Sequence, residues 1–185
     1  MNKVAIIIAP GFEEGEALTI ADILKRANIS CDLIGIQRYV EGGHHIIVQC
    51  DDILDETLID YDMVILPGGY EGVDTMLHHQ QLLDLLVKMN KLEKYICAMC
   101  AAPVVLAKIN LLVDKKYTAY QGYDQKINQG QYLDNIVVVD HNIITGRGPA
   151  TVYAFAYKIV EVLNGDALAV KNKMLYYHAF DKEEK

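Results

Sequence analysis

The feature that most constrains this chain is an uninterrupted apolar run closed by a turn, used three times. Val4 to Ala9 reads Val-Ala-Ile-Ile-Ile-Ala with no polar residue inside it, and Pro10-Gly11 ends it. A strand with apolar, largely β-branched side chains on both sides of the pleat must be covered on both faces, as in a parallel sheet flanked by helices. Met63 to Leu66 repeats the pattern and stops at Pro67-Gly68-Gly69, and Tyr95 to Ala98 stops at a third turn. Helical spacing fills the intervals: Ala17, Ile20, Ala21, Ile23 and Leu24 predict a helix over Glu13 to Ala27. Cys31 to Ile36 reads as a second strand, and Ile46 to Cys50 as a short one in a hairpin, because no helix intervenes.

Further along, the spacing predicts a helix over about Leu82 to Asn90 that begins near Asp74, and another over Ala101 to Lys108. Val137 to Asp140 and Ile143 to Thr145 flank a turn at His141-Asn142. Pro149 opens a helix that runs to Leu163, with Gly165 placed as its C-terminal cap, and a last helix covers Ala167 to Tyr177. Strands alternating with helices predict an α/β fold, a doubly wound, mostly parallel sheet sandwiched by helices. Ligands of such folds sit beyond the carboxyl ends of the strands. The turns to inspect are therefore Pro10 to Glu16, Pro67 to Gly72 and Ala98 to Ala102.

With 185 residues, 52% of them hydrophobic and only 4 Pro, the chain reads as one domain over residues 1–185 that buries roughly 70% of its unfolded surface. Twenty-five acids against 17 bases give a net charge of −8 without any basic cluster, so nucleic acid is not an expected partner. The first apolar run stops at Pro10, and no stretch approaches the roughly 18 apolar residues of a membrane helix. No membrane partner and a cytoplasmic location are expected. Cys31, Cys50, Cys97 and Cys100 are too few and too scattered for a disulfide framework.

Cys100 stands where a buried strand turns sharply into a helix, with Ala98 and Ala102 two residues to either side. A nucleophile elbow needs small residues at those places because the chain folds back on itself there. A helix start aimed at the sulfur favours the thiolate, and the turn's N–H groups can bind an oxyanion. A free cysteine is more commonly a small buried hydrophobe. Pairing with Cys97 is disfavoured, since three extended steps span about 10 Å against the roughly 7 Å a disulfide permits between α-carbons. Glu13, Glu14 and Glu16 start the first helix at the same sheet edge. Acids there ordinarily face water, yet Glu13 and Glu16 share a helix face, and one drawn inward would have its pKa raised by burial and could shuttle a proton.

The adjacent pairs His44-His45 and His78-His79 do not chelate naturally, because neighbouring side chains diverge on a strand and lie about 100° apart on a helix. They read as a hairpin turn and a helix start, and no metal is expected. Gly68-Gly69 does not extend to a phosphate-binding loop, and Gly11 lacks the partners of a dinucleotide fingerprint.

Four segments in order, Glu13-Glu14-Gly15-Glu16, Leu66-Pro67-Gly68-Gly69, Ile96 to Pro103 and Ile144 to Ala150, resemble the ThiJ/PfpI superfamily. The similarity is to the branch of the Parkinson-disease-associated protein deglycase and its bacterial relatives. The resemblance implies a flavodoxin-like, class I glutamine amidotransferase-like fold. It implies Cys100 as an oxidisable nucleophile and Glu16 as a protonated acid hydrogen-bonded to it. Gly69 and Ala101 would supply oxyanion-hole N–H groups, and Arg147 would lie near the site, where an ordinary ion pair is the plainer reading. It also implies a homodimer through the first helix and the region of the third strand, near Arg26 and Cys50.

Two departures matter. Tyr120 stands where the best-known branch member has histidine, and Ala101 where the protease-like branch has histidine, so the acid–base role falls to Glu16. Neither His141-Asn142-Ile143 nor His178-Ala179-Phe180 supplies the late His-x-Glu of the amidotransferases. The expected activity is a cofactor-free, cysteine-dependent glyoxalase or deglycase acting on a small aldehyde or dicarbonyl such as methylglyoxal, or on its glycation adducts. The alternative is an oxidation-sensing redox chaperone that uses the same cysteine.

Overall fold

The uninterrupted apolar runs form the centre of a seven-stranded sheet. A computed structural model describes residues 2–178, so the expected domain of residues 1–185 and the triplet beginning at His178 extend beyond the described residues. In chain order the elements are β1 (Lys3–Ile8), α1 (Glu14–Arg26), β2 (Ser30–Gly35), β3 (Tyr39–Glu41), β4 (Ile47–Gln49), β5 (Asp52–Ile53), β6 (Met63–Leu66), α2 (Tyr70–His78) and α3 (Gln80–Lys91). There follow β7 (Tyr95–Met99), α4 (Pro103–Lys108), β8 (Lys116–Tyr117), β9 (Gln131–Tyr132), β10 (Val137–Asp140), β11 (Ile143–Gly146), α5 (Val152–Val162) and α6 (Ala167–Lys173). The main sheet has the order β10-β11-β7-β6-β1-β2-β5, with every pairing parallel except the β10–β11 hairpin.

Val4 to Ile8 and Met63 to Leu66 lie wholly out of solvent, as unbroken apolar runs require. Each isoleucine withdrawn from water contributes about 1.5–3 kcal/mol, which is why these strands occupy the middle of the sheet. From β1 the chain passes through α1 to β2 on one side, and from β6 through α2 and α3 to β7 on the other. Right-handed crossovers in opposite directions put α1 and the α2–α3 pair on opposite faces. α5 packs on α1, and α4 on α2, completing the two helical layers. The strand order reverses between β1 and β6, so the carboxyl ends of β1, β6 and β7 open onto a crevice.

Several boundaries differ from the sequence reading, each for a local reason. The helix expected over about Leu82 to Asn90 is α3, while the earlier start near Asp74 falls in a separate helix, α2. His79 adopts a non-helical backbone (φ −91°, ψ 88°), and its Nδ1 accepts the Leu82 N–H at 3.3 Å, which starts α3 afresh. The helix opened by Pro149 begins as one 3₁₀ turn and becomes α-helical only at Val152. The last helix stops at Lys173, and a 3₁₀ turn follows over Tyr176–His178. The 46–50 segment does pair in a hairpin, but β3 and β4 form a separate ribbon, while β5 joins the edge of the main sheet. The β8–β9 pair was not expected, since two residues per strand carry no periodic signal.

Candidate active site

Parallel register delivers three turns to one place. Ile6 lies beside Ile65, and Ile65 beside Cys97, so the chain leaves β1, β6 and β7 at similar height. After β7, Cys100 takes φ +59°, a left-handed conformation that a side chain adopts at a cost. Ala98 and Ala102 are completely buried around it. The strained residue is held on both sides: its N–H donates to the Gly146 carbonyl at 2.9 Å, and its carbonyl accepts the Tyr120 N–H at 2.8 Å. This is the elbow expected from the alanine spacing, and it leaves the Cys100 side chain 7% exposed at the floor of a cleft.

Glu16 comes from the first turn of α1 and is completely buried. One carboxyl oxygen, Oε2, accepts the Gly68 N–H at 2.6 Å, while Oε1 is buried with no hydrogen-bond partner among the described residues. Gly68 fixes how closely the two groups approach. A Cβ added there would stand 2.7 Å from Cys100 Cβ, 3.0 Å from Cys100 Sγ and 2.9 Å from Glu16 Oε2. Only a glycine lets β6 end against both side chains.

Burial pushes the Glu16 carboxyl up to about 7, against the pull of the Gly68 N–H. Burial also pushes the Cys100 thiol up. The neighbouring Glu16 charge adds to this, and the Ala101 N–H works in the other direction. The thiol lowering expected from a helix start is therefore outweighed: α4 has only six residues and begins at Pro103, while burial and a carboxylate act directly on the sulfur. Two buried acids in contact do not both ionise, so the pair holds and releases protons as a unit. It is suited to passing a proton between a carboxyl oxygen and a species bound to the sulfur.

The cleft above the sulfur encloses about 380 Å³ and is bordered by all three turns. Gly69 and Ala101 line it beside Cys100, and Tyr120 forms a wall. Glu13 occupies the N-cap position of α1, donates its N–H to the Gly68 carbonyl at 3.0 Å and lines the cleft, with a carboxylate oxygen 3.9 Å from His44 Nδ1. Arg147 stands next to the cleft rather than in its lining. It pairs with Asp134 and lines a neighbouring groove with Tyr120 and Pro149, the ion-pair role that its residue type gave without the resemblance.

Several contributors carry no distinct signal in the sequence. Gly68 sits in a turn that the sequence marks, but only packing shows why it must be glycine. Glu14, at a helix start where acids ordinarily face water, is 3% exposed. Its Oε1 accepts the N–H groups of His44 (2.8 Å) and Ile46 (3.3 Å), and its Oε2 meets His44 Nδ1 at 2.9 Å. These contacts fasten the β3–β4 turn over the cleft and bring His44 to its rim. Tyr70 and Glu71, from the first turn of α2, complete the lining.

The histidine pairs behave as neighbours that diverge. His45 meets Glu41, His78 meets Asp74, and His79 caps α3. Glu13, Glu14 and His44 do offer ligand atoms within 4.8 Å of one another, but the Glu14 oxygens are already engaged in holding the turn. All four cysteines are free and buried, and Cys50 packs against Gly35 inside the chain itself. No helix among the described residues is long and apolar enough to cross a membrane.

Comparison with known proteins agrees with this fold. The DJ-1/PfpI family matches residues 2–162. Protein dj-1beta of Drosophila melanogaster is 39% identical over 171 residues, covering 89% of this chain and 91% of the fly protein. The glutathione-independent glyoxalase DJR-1.2 of Caenorhabditis elegans is 30% identical over 172 residues, covering 89% of this chain and 90% of the worm protein. The crystal structure of Drosophila melanogaster DJ-1beta superposes with a TM-score of 0.89 at 37% identity, covering 95% of this chain and 98% of that one.

Proposed function

As this chain belongs to the DJ-1/PfpI family, we propose that it is a cofactor-free, cysteine-dependent enzyme of the glyoxalase or deglycase type, acting on small dicarbonyls or their adducts. The observation that carries the reading is the buried Glu16 carboxyl set against a strained, cleft-facing Cys100. The similarity to a worm protein named as a glutathione-independent glyoxalase supports it.

In this reading Cys100 sulfur bonds to the aldehyde carbon of methylglyoxal and the carbonyl oxygen takes a proton, giving a hemithioacetal. The N–H groups of Gly69 and Ala101 hold the oxygen while charge develops on it. Glu16 then removes the proton on the former aldehyde carbon and returns it to the adjacent ketone carbon, while the hydroxyl proton of the hemithioacetal passes to the former ketone oxygen. The first carbon is thereby oxidised to a thioester and the second reduced to an alcohol. Water releases lactate and restores the thiol, so the net change is addition of one water and no external electron carrier is needed. A carboxyl poised near 7 is suited to both halves of this transfer.

The test is consumption of methylglyoxal by purified protein, with lactate as product. Cys100→Ser and Glu16→Ala are both expected to fall to background. Turnover that survives in Cys100→Ser overturns the reading.

A further inference from the structure

The cleft over Cys100 carries a one-sided charge that the chemistry above does not require. Glu13 and Glu71 line it, and among the described residues that border it there is neither lysine nor arginine. His44 is the one cationic candidate at the rim. Its Nδ1 is tied to Glu14 at 2.9 Å and stands 3.9 Å from Glu13, so at its most protonated it offsets a single one of these carboxylates. Arg147, in the next groove, is spent on Asp134. The whole chain, at −8, adds to the same potential.

The uncharged walls of the cleft also suit a cation. Tyr70, 66% exposed, and Tyr120, 37% exposed, stand at the opening. Both pack on Tyr123, at centroid distances of 6.3 and 6.4 Å. Tyr123 itself holds a cation outside the cleft, with Lys126 Nζ lying 4.0 Å from its ring centroid in the neighbouring cavity. Aromatic faces attract ammonium and guanidinium groups, and carboxylates beside them strengthen the effect in a partly dry cleft.

From this we infer that the Cys100 cleft is selective for cations: its preferred substrate is a carbonyl compound bearing a positive charge beyond the reacting carbon, with Glu13 and Glu71 as specificity-determining residues and Tyr70 and Tyr120 as the walls that receive the charge. This rests on the proposed function for the identity of the reacting carbon, while the charge preference itself belongs to the cleft. Anionic carbonyl compounds, and thiol adducts with carboxylate tails, meet two carboxylates at the entrance.

The experiment compares the rates at which Cys100 is modified by two methanethiosulfonates of similar size, one with a trimethylammonium and one with a sulfonate tail. In each reaction the thiolate forms a disulfide with the reagent's thioalkyl group and methanesulfinate leaves. Modification of Cys100 is read by peptide mass spectrometry, and each rate is divided by the rate with 2-mercaptoethanol to remove intrinsic reactivity. At low ionic strength the normalised preference for the cation is expected to be about tenfold. It is expected to shrink toward unity in 0.5 M salt and in Glu13→Gln/Glu71→Gln, isosteric changes at partly exposed or exposed positions. A ratio at or below one overturns the inference, as does a ratio that neither salt nor the double variant moves, or a Cys100 closed to both reagents. Methylglyoxal turnover on the same preparation reads the proposed function separately: its loss with the charge preference intact leaves the cleft assignment standing, and the reverse leaves the chemistry standing.

Discussion

At Glu16 one side chain carries opposite demands. Burial raises its carboxyl to about 7 from an ordinary 4.5, so the native state holds this proton more tightly than the unfolded chain does. The stability tied to that proton is fully present below about 4.5 and is lost as pH rises through about 7, to the extent of about 3 kcal/mol. Glu16→Gln keeps the shape and removes the titration. The urea midpoint of the wild type is expected to fall between pH 5 and pH 8 relative to that of Glu16→Gln, and a difference that stays flat or widens in the other direction would show that the carboxyl is not buried as described. The group that weakens the fold above neutrality is the one the proposed chemistry needs, a trade between stability and activity seen at many active sites.

Among the elements, the β3–β4 ribbon belongs to no large sheet, yet its turn covers the cleft. It is fastened through Glu14. Burial pushes that carboxyl up, but His44 and the N–H groups of His44 and Ile46 outweigh burial and hold it below its ordinary value. The same contact raises His44, with Glu14 as the leading cause. The lowered carboxyl contributes above its ordinary range and fails as pH falls through its native value. The raised imidazole contributes below its ordinary value and fails as pH rises through its native one. The fastening is therefore complete only between the two. In Glu14→Ala, amide hydrogen exchange at residues 43–46 is expected to accelerate at least tenfold while β1 and β6 stay protected. Unchanged exchange would mean that the turn is held by its own backbone bonds, such as Gly43 N–H to Phe12 O at 2.9 Å.

For the whole molecule, the resemblance that implied a homodimer meets a surface suited to one, and we propose that the chain dimerises there. Leu18 on α1 is 37% exposed, while Ile46 and Ile47 on the ribbon are 52% and 65% exposed, beside the region named from the family. Cys50 is buried within the chain, and Arg26 is engaged by Asp22 at 2.8 Å, so neither needs a second copy to be satisfied. Sedimentation equilibrium at micromolar concentration is expected to return a dimer for the wild type and a monomer for Leu18→Glu/Ile47→Glu. A monomeric wild type would refute the arrangement.

Much of the fold was legible because its signals are local. Unbroken apolar runs ended by Pro-Gly turns mark central parallel strands whatever surrounds them, and the Ala98-x-Cys100-x-Ala102 spacing marks a sharp turn by sterics alone. The lengths of α2 and α3 were not legible, since apolar spacing continues through the break that the His79 cap makes. Nor was the division of labour among the three acids. Glu13, Glu14 and Glu16 have nearly the same chemistry in sequence, and only their surroundings separate a cleft-lining acid, a fastener of the ribbon and a buried carboxyl beside Cys100. The sequence by itself determined the α/β architecture and the sharp turn at Cys100, because both follow from side-chain volume and pattern along one segment. The tertiary structure alone decided which acid lies beside the sulfur, that Arg147 pairs with Asp134 in the adjoining groove, and what charge the cleft shows, because burial and Coulomb interaction depend on distances between segments that only folding brings together.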